Sequence, residues 1–164
     1  MVLASHIIIA GLLGSQTENY FLAAAIGFSS HYVLDGIPHW DYLSEEFEVK
    51  AQGNPGFMKN KNFWREIGKV ALDILIGLVL LFSLTNLNKS SNTTAVFTAA
   101  IFGILPDPLG LLYWMTKWKI IKWNSDIQNF VHHSIHKKID QAFWPGISIQ
   151  VAAIWLVFII IFYF

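Results

Sequence analysis

The chain has 164 residues, of which 54% are hydrophobic, 15% aromatic and only 13% charged, well below the quarter usual for a soluble domain. Eleven basic and eleven acidic residues cancel, so there is no electrostatic case for a nucleic-acid partner. Cysteine is absent, which removes disulfides, thiolate metal ligands and a cysteine nucleophile together.

Apolar stretches run at roughly 3–14, 20–38, 68–87, 94–115 and 145–164. The composition predicts a single all-α domain over 1–164, an integral membrane bundle of about five apolar helices with one interfacial amphipathic helix. At about 1.5 Å rise per residue, the last three stretches can cross a hydrocarbon core of about 30 Å, whereas the first is too short to do so alone. Residues 1–14 lack a basic n-region, and Gly14-Ser-Gln-Thr-Glu-Asn19 leads straight into the second apolar stretch. A helical hairpin is therefore expected rather than a cleaved signal peptide.

The second stretch ends in His31-Tyr-Val-Leu-Asp35-Gly-Ile-Pro-His39-Trp-Asp41, which places two imidazoles and two carboxylates within eleven residues. His31 and Asp35, four apart, share one face of a helix. Ionisable groups at the end of a membrane span are costly and read by default as functional. Residues 44–62 are charged and contain the turn signal Asn54-Pro55-Gly56. Asp73 enters the third helix, and Asp107 lies between Pro106 and Pro108 in the fourth stretch.

Residues 123–140 carry Trp123, Ile127, Phe130, Val131, Ile135 and Ile139 at helical spacing with polar residues between, the pattern of an interfacial amphipathic helix. His132 and His136 fall on one side of it, with His133 beside them. A weak likeness between Ala24-Ala-Ile-Gly-Phe28 and Ala99-Ala-Ile-Phe-Gly103 raises a duplicated hairpin as one reading.

Ten of the eleven basic residues lie in or beside the loops 39–67 and 116–144, and Lys89 alone falls opposite. The positive-inside rule then places those loops and the N-terminus in the cytoplasm, with the C-terminus outside. Six of the seven tryptophans, Trp40, Trp64, Trp114, Trp118, Trp123 and Trp144, gather at the same boundary as an aromatic belt. All six histidines converge on this face.

Imidazole nitrogen and carboxylate oxygen without thiolate suit a catalytic Zn or Mn site with an open position, and four to six such ligands can hold one or two ions. The expected metal ligands are His6, His31, Asp35, His39 and Asp107. Asp41 and Asp73 are the catalytic candidates, as general base or as orienting groups, and His132, His133 and His136 are additional ligands or substrate contacts. Plainer readings stand beside these: a His31–Asp35 pair that only fixes helix packing, an Asp107 that caps a helix, and a histidine cluster that only binds headgroups.

The Ser30-His31…His39-Trp-Asp41 run, with Ser5-His6, Gly103-Ile-Leu-Pro-Asp107 and His132-His-Ser134, resembles the YdjM-like membrane-bound metal-dependent hydrolases, also described as LexA-binding inner-membrane-associated hydrolases. The His31-to-Asp35 spacing is also similar to the His-x-x-x-Asp element of zinc-dependent phospholipase C. The resemblance implies that His31, Asp35, His39 and Asp41 match the metal-binding run, His6 the N-terminal histidine, and Asp107 the Pro-Asp element. It departs at the late motif, where His132-His-Ser-Ile-His136-Lys stands in place of His-Arg and a Thr-His-Ser string.

The expected function is thus a hydrolase of phosphoester or lipid-like substrates in a bacterial inner membrane, with the bilayer and an amphiphilic substrate as partners. The alternative is a non-enzymatic membrane protein that binds or carries a metal ion or a proton. Such a carrier calls for ionisable groups at several depths, whereas the outer half of this chain has almost none.

Overall fold

A computed structural model describes residues 1–41, 59, 61–87, 92–135 and 143–163, and all regular structure among them is helical. The helices are α1 (Leu3–Gly14), α2 (Tyr20–Asp35), α3 (Lys61–Leu87), α4 (Thr93–Ile104), α5 (Pro106–Thr116), α6 (Lys122–Ile135) and α7 (Phe143–Tyr163), with a 3-10 turn at Lys119–Ile121. Three stretches are long and apolar enough to cross a membrane: Lys61–Asn86, Thr93–Thr116 and Phe143–Tyr163.

The first apolar stretch is the centre of the bundle. Residues Ile7 to Leu12 of α1 are all buried, because α2, α3, α4 and α7 each pack against it. A helix that is apolar all round needs such an enclosure. By contrast α3 and α7 expose Leu72, Leu75, Val79 and Phe82, and Trp155, Leu156 and Ile160, on their outer sides. That is the distribution of helices that face lipid.

Small residues bring α2 and α4 together. Ala23, Ala95 and Ala99 form one buried cluster, and a Cβ on Gly27 would collide with the Ala99 carbonyl oxygen. A Cβ on Gly103 would likewise meet Ala10, so α1, α2 and α4 meet almost backbone to backbone. Such contacts are the usual interface between membrane helices.

The hairpin of α1 and α2 is turned by Ser15 to Asn19. Asn19 caps α2 by accepting from the amides of Phe21 (2.9 Å) and Leu22 (3.1 Å). The first turn of α1 is capped from elsewhere. Asp73 Oδ2 on α3 accepts from Leu3 N (2.6 Å) and Ala4 N (3.3 Å), and Gln150 Oε1 on α7 accepts from Val2 N (3.3 Å) and Ser5 Oγ (3.2 Å).

The structure adds three details to these expectations. The helix of the second stretch stops at Asp35, with Gly36 as its C-cap, rather than running to residue 38. The fourth stretch is two helices that meet at Leu105, since Pro106 has no N–H to continue the ladder and takes the first helical position of α5. On α6, Asn124 and Ser125 are buried, while Trp123 is 47% and Phe130 70% exposed.

Candidate metal centre

The antiparallel run of α1 and α2 sets the start of one beside the end of the other. There His6, His31 and Asp35, all buried, bring one ligand atom each to within 4.8 Å of one another. His6 Nε2 lies 3.2 Å from Asp35 Oδ1, and His31 Nε2 lies 3.0 Å from Asp35 Oδ2. The two imidazoles stack with centroids 4.3 Å apart and planes 25° from parallel.

The orientation of His31 follows from its other nitrogen. Nδ1 lies 2.8 Å from the carbonyl oxygen of Gly103, a group that can only accept, so Nδ1 carries the proton. In the neutral ring Nε2 then presents a lone pair to the cluster. This is the arrangement by which metal-binding histidines are fixed in tautomer and direction. The close approach at Gly27 and Ala99 serves the same end, because it brings α4 near enough for its carbonyl to reach the ring.

Asp107 enters from the side. Its Oδ1 is 3.3 Å from His31 Nε2, and its side chain is 41% exposed, whereas His6, His31 and Asp35 are sealed. Asp107 stands in the first turn of α5 but does not cap it, since Leu105 is the N-cap and no side chain bonds there. Its carboxylate instead spans from His31 to Gln128, whose Nε2 donates to Oδ1 at 3.0 Å.

A cation fits this group on geometric grounds. Both ring nitrogens of His6 and Nε2 of His31 are buried with no hydrogen-bond partner, although carboxylate oxygens approach to 3.0–3.3 Å. Unpaired buried nitrogens are costly, and two such imidazoles gathered beside a carboxylate are what a divalent ion satisfies.

The other expected site residues lie apart from this cluster or hold other partners. His39 is buried beyond the end of α2, with Nδ1 2.7 Å from the Ile37 carbonyl and Nε2 2.6 Å from the amino nitrogen of Met1. Burial, helped by that amino group, pushes its imidazole down to about 3. Asp41 Oδ2 lies 3.3 Å from the same amino group, which is itself 3.7 Å from Asp35 Oδ1. Asp73 accepts from the first amides of α1, a structural task at that position. The side chains of His132 and His133, and His136 altogether, lie outside the described residues, as do most of 44–62, Lys89, Lys137 and Lys138.

Four polar residues around the centre were not singled out by the sequence. Gln150 donates from Nε2 to the Trp40 carbonyl (2.8 Å), which ties the segment after α2 to α7, and Gly146 leaves room for Trp40 to approach. Tyr32, Asn124 and Gln128 form a chain that ends on Asp107. The signal for Gln150 is a lone amide in an apolar run, and for Asn124 and Gln128 it is their four-residue spacing.

No protein-family model, curated protein or solved structure matches the chain. The functional reading therefore stands on the cluster itself and on the motifs quoted above.

Proposed function

We propose that the chain is a membrane-embedded, metal-dependent hydrolase that acts on phosphoester or lipid-like substrates from the cytoplasmic leaflet of a bacterial inner membrane. His6, His31 and Asp35 would hold the ion, with Asp107 as the arm on the solvent side. The observation that carries this reading is the convergence of two buried imidazoles on a buried carboxylate, with both nitrogens of His6 and Nε2 of His31 lacking a hydrogen-bond partner.

A divalent ion such as Zn2+ or Mn2+, held by His6, His31 and Asp35, would supply Lewis acidity and an activated water for phosphoester cleavage. The chain's own residues then have separable tasks. Gly103 fixes the direction of His31, and the sealed faces of α1 and α2 exclude bulk water from three ligands. Asp107, the exposed member, is placed to exchange a proton with solvent or to meet a substrate. Asp41, 36% exposed by side chain, lies 3.3 Å from the Met1 amino group, which neighbours Asp35. The apolar outer surface of α6 suits an amphiphilic substrate that arrives along the bilayer surface.

The test is a panel of phospholipid and generic phosphodiester substrates in detergent micelles, with Asp35→Ala as the blank. Hydrolysis that chelation abolishes and Zn2+ or Mn2+ restores supports the proposal. Metal binding without turnover on any member of the panel would favour the carrier reading instead.

A further inference from the structure

The polar chain from Tyr32 to Asp107 has a fixed direction. Tyr32 donates from its hydroxyl to Asn124 Oδ1 (2.7 Å), and Asn124 Nδ2 donates to the Pro106 carbonyl (2.9 Å) and to Gln128 Oε1 (3.3 Å). Gln128 Nε2 then donates to Asp107 Oδ1 (3.0 Å). The Pro106 carbonyl and the Asp107 carboxylate can only accept, so both amides are held in one orientation. Asn124 is wholly buried, which makes its bonds costly to lose.

A second observation concerns the space that Gln128 occupies. A Cβ on Gly110, one turn along α5 from Asp107, would lie 2.6 Å from Gln128 Oε1 and 3.8 Å from Asn124 Nδ2. The bare backbone of Gly110 is what lets the amide ladder of α6 lie flat on α5 and reach Asp107.

We infer that Gln128 is a positioning residue for the metal centre: it turns Asp107 Oδ1 toward His31 Nε2 and so completes the ligand set on its open side. This rests on the metal reading above and adds to it a residue from a helix that contributes no described ligand. Without the Gln128 amide, a partly exposed carboxylate would be free to turn into solvent. Partners of this kind typically govern metal affinity by ten- to a hundredfold.

The experiment is a Co2+ titration of the detergent-purified full chain, read by visible absorption, for wild type, Gln128→Met, Gly110→Ala, Asp107→Ala and the Gln128→Met/Asp107→Ala double variant. Methionine keeps the volume and removes the donor, and Gly110→Ala displaces the amide without altering it. Both single variants should weaken Co2+ by about tenfold or more and change the absorption envelope, and Gln128→Met should cost nothing further in the Asp107→Ala background. Wild-type affinity in Gln128→Met, or an equal loss with and without Asp107, would overturn the inference while leaving the metal reading intact. A wild type that binds no Co2+ would overturn both. Helix content and thermal midpoint, measured alongside, separate misfolding from loss of positioning, and Gly110→Ala decides the matter if Gln128→Met does not fold.

Discussion

Asp73 on α3 accepts the Leu3 amide at 2.6 Å and the Ala4 amide at 3.3 Å, so a carboxylate seventy residues away caps a helix whose own N-cap, Val2, offers no side-chain acceptor. A negative charge at that end also complements the helix dipole. Asp73→Ala should lower stability by about 1–2 kcal/mol, read as a drop in thermal midpoint in detergent, while Asp73→Asn should retain most of the cap. If Asp73 were instead the general base, Asp73→Asn would abolish turnover at unchanged stability.

The backbone contact between α2 and α4 should be as sensitive as any in the bundle. Gly27→Ala forces a methyl against the Ala99 carbonyl and must push α4 away from His31. A loss of about 1–3 kcal/mol is expected, together with weaker metal binding, because the Gly103 carbonyl would leave Nδ1. Metal titration and thermal melts on the same sample check both. A variant with native midpoint and native affinity would contradict the packing account.

His39 should make stability fall in mild acid. Its imidazole is held down at about 3, so between about pH 6.5 and pH 3 the unfolded chain binds the proton that the folded chain refuses. Stability from this group is complete above about pH 6.5 and declines as pH falls, by at most about 2 kcal/mol between pH 7 and pH 5. Comparing thermal midpoints at the two values for wild type and His39→Gln isolates the effect. An equal pH dependence in both would contradict it.

Much of the fold was legible in the sequence because its causes are local. Helix lengths follow from apolar runs, the α1–α2 turn from Gly14 to Asn19, and the His31–Asp35 pairing from a four-residue step. The break at Leu105 was visible as Pro106, and Asp107, expected among the ligands with a helix cap as the plainer reading, lies 3.3 Å from His31 Nε2. Periodicity shows that a helix has two faces, but whether the apolar one meets protein or lipid depends on what lies beside it. The contacts of Gln150 were hidden, and those of Asp73 were open only as one reading, since both satisfy backbone groups of a distant helix and no local pattern reports which.

The orientation proposed from the basic residues is open to direct labelling. Single cysteines near Lys59 and Lys119 should react with a membrane-impermeant reagent only from the cytoplasm, and one near Lys89 only from outside. The reverse pattern would move the metal centre to the opposite face and remove the case for a cytoplasmic-leaflet substrate.

The central claim is that His6, His31 and Asp35 hold a divalent ion, and metal analysis of the detergent-purified chain tests it most directly. Wild type reconstituted with Zn2+ or Mn2+ and freed of excess should retain about one ion per chain, and His31→Ala and Asp35→Ala, folded by helix content, should retain little. Retention that is absent in wild type, or equal in wild type and both variants, would contradict the account.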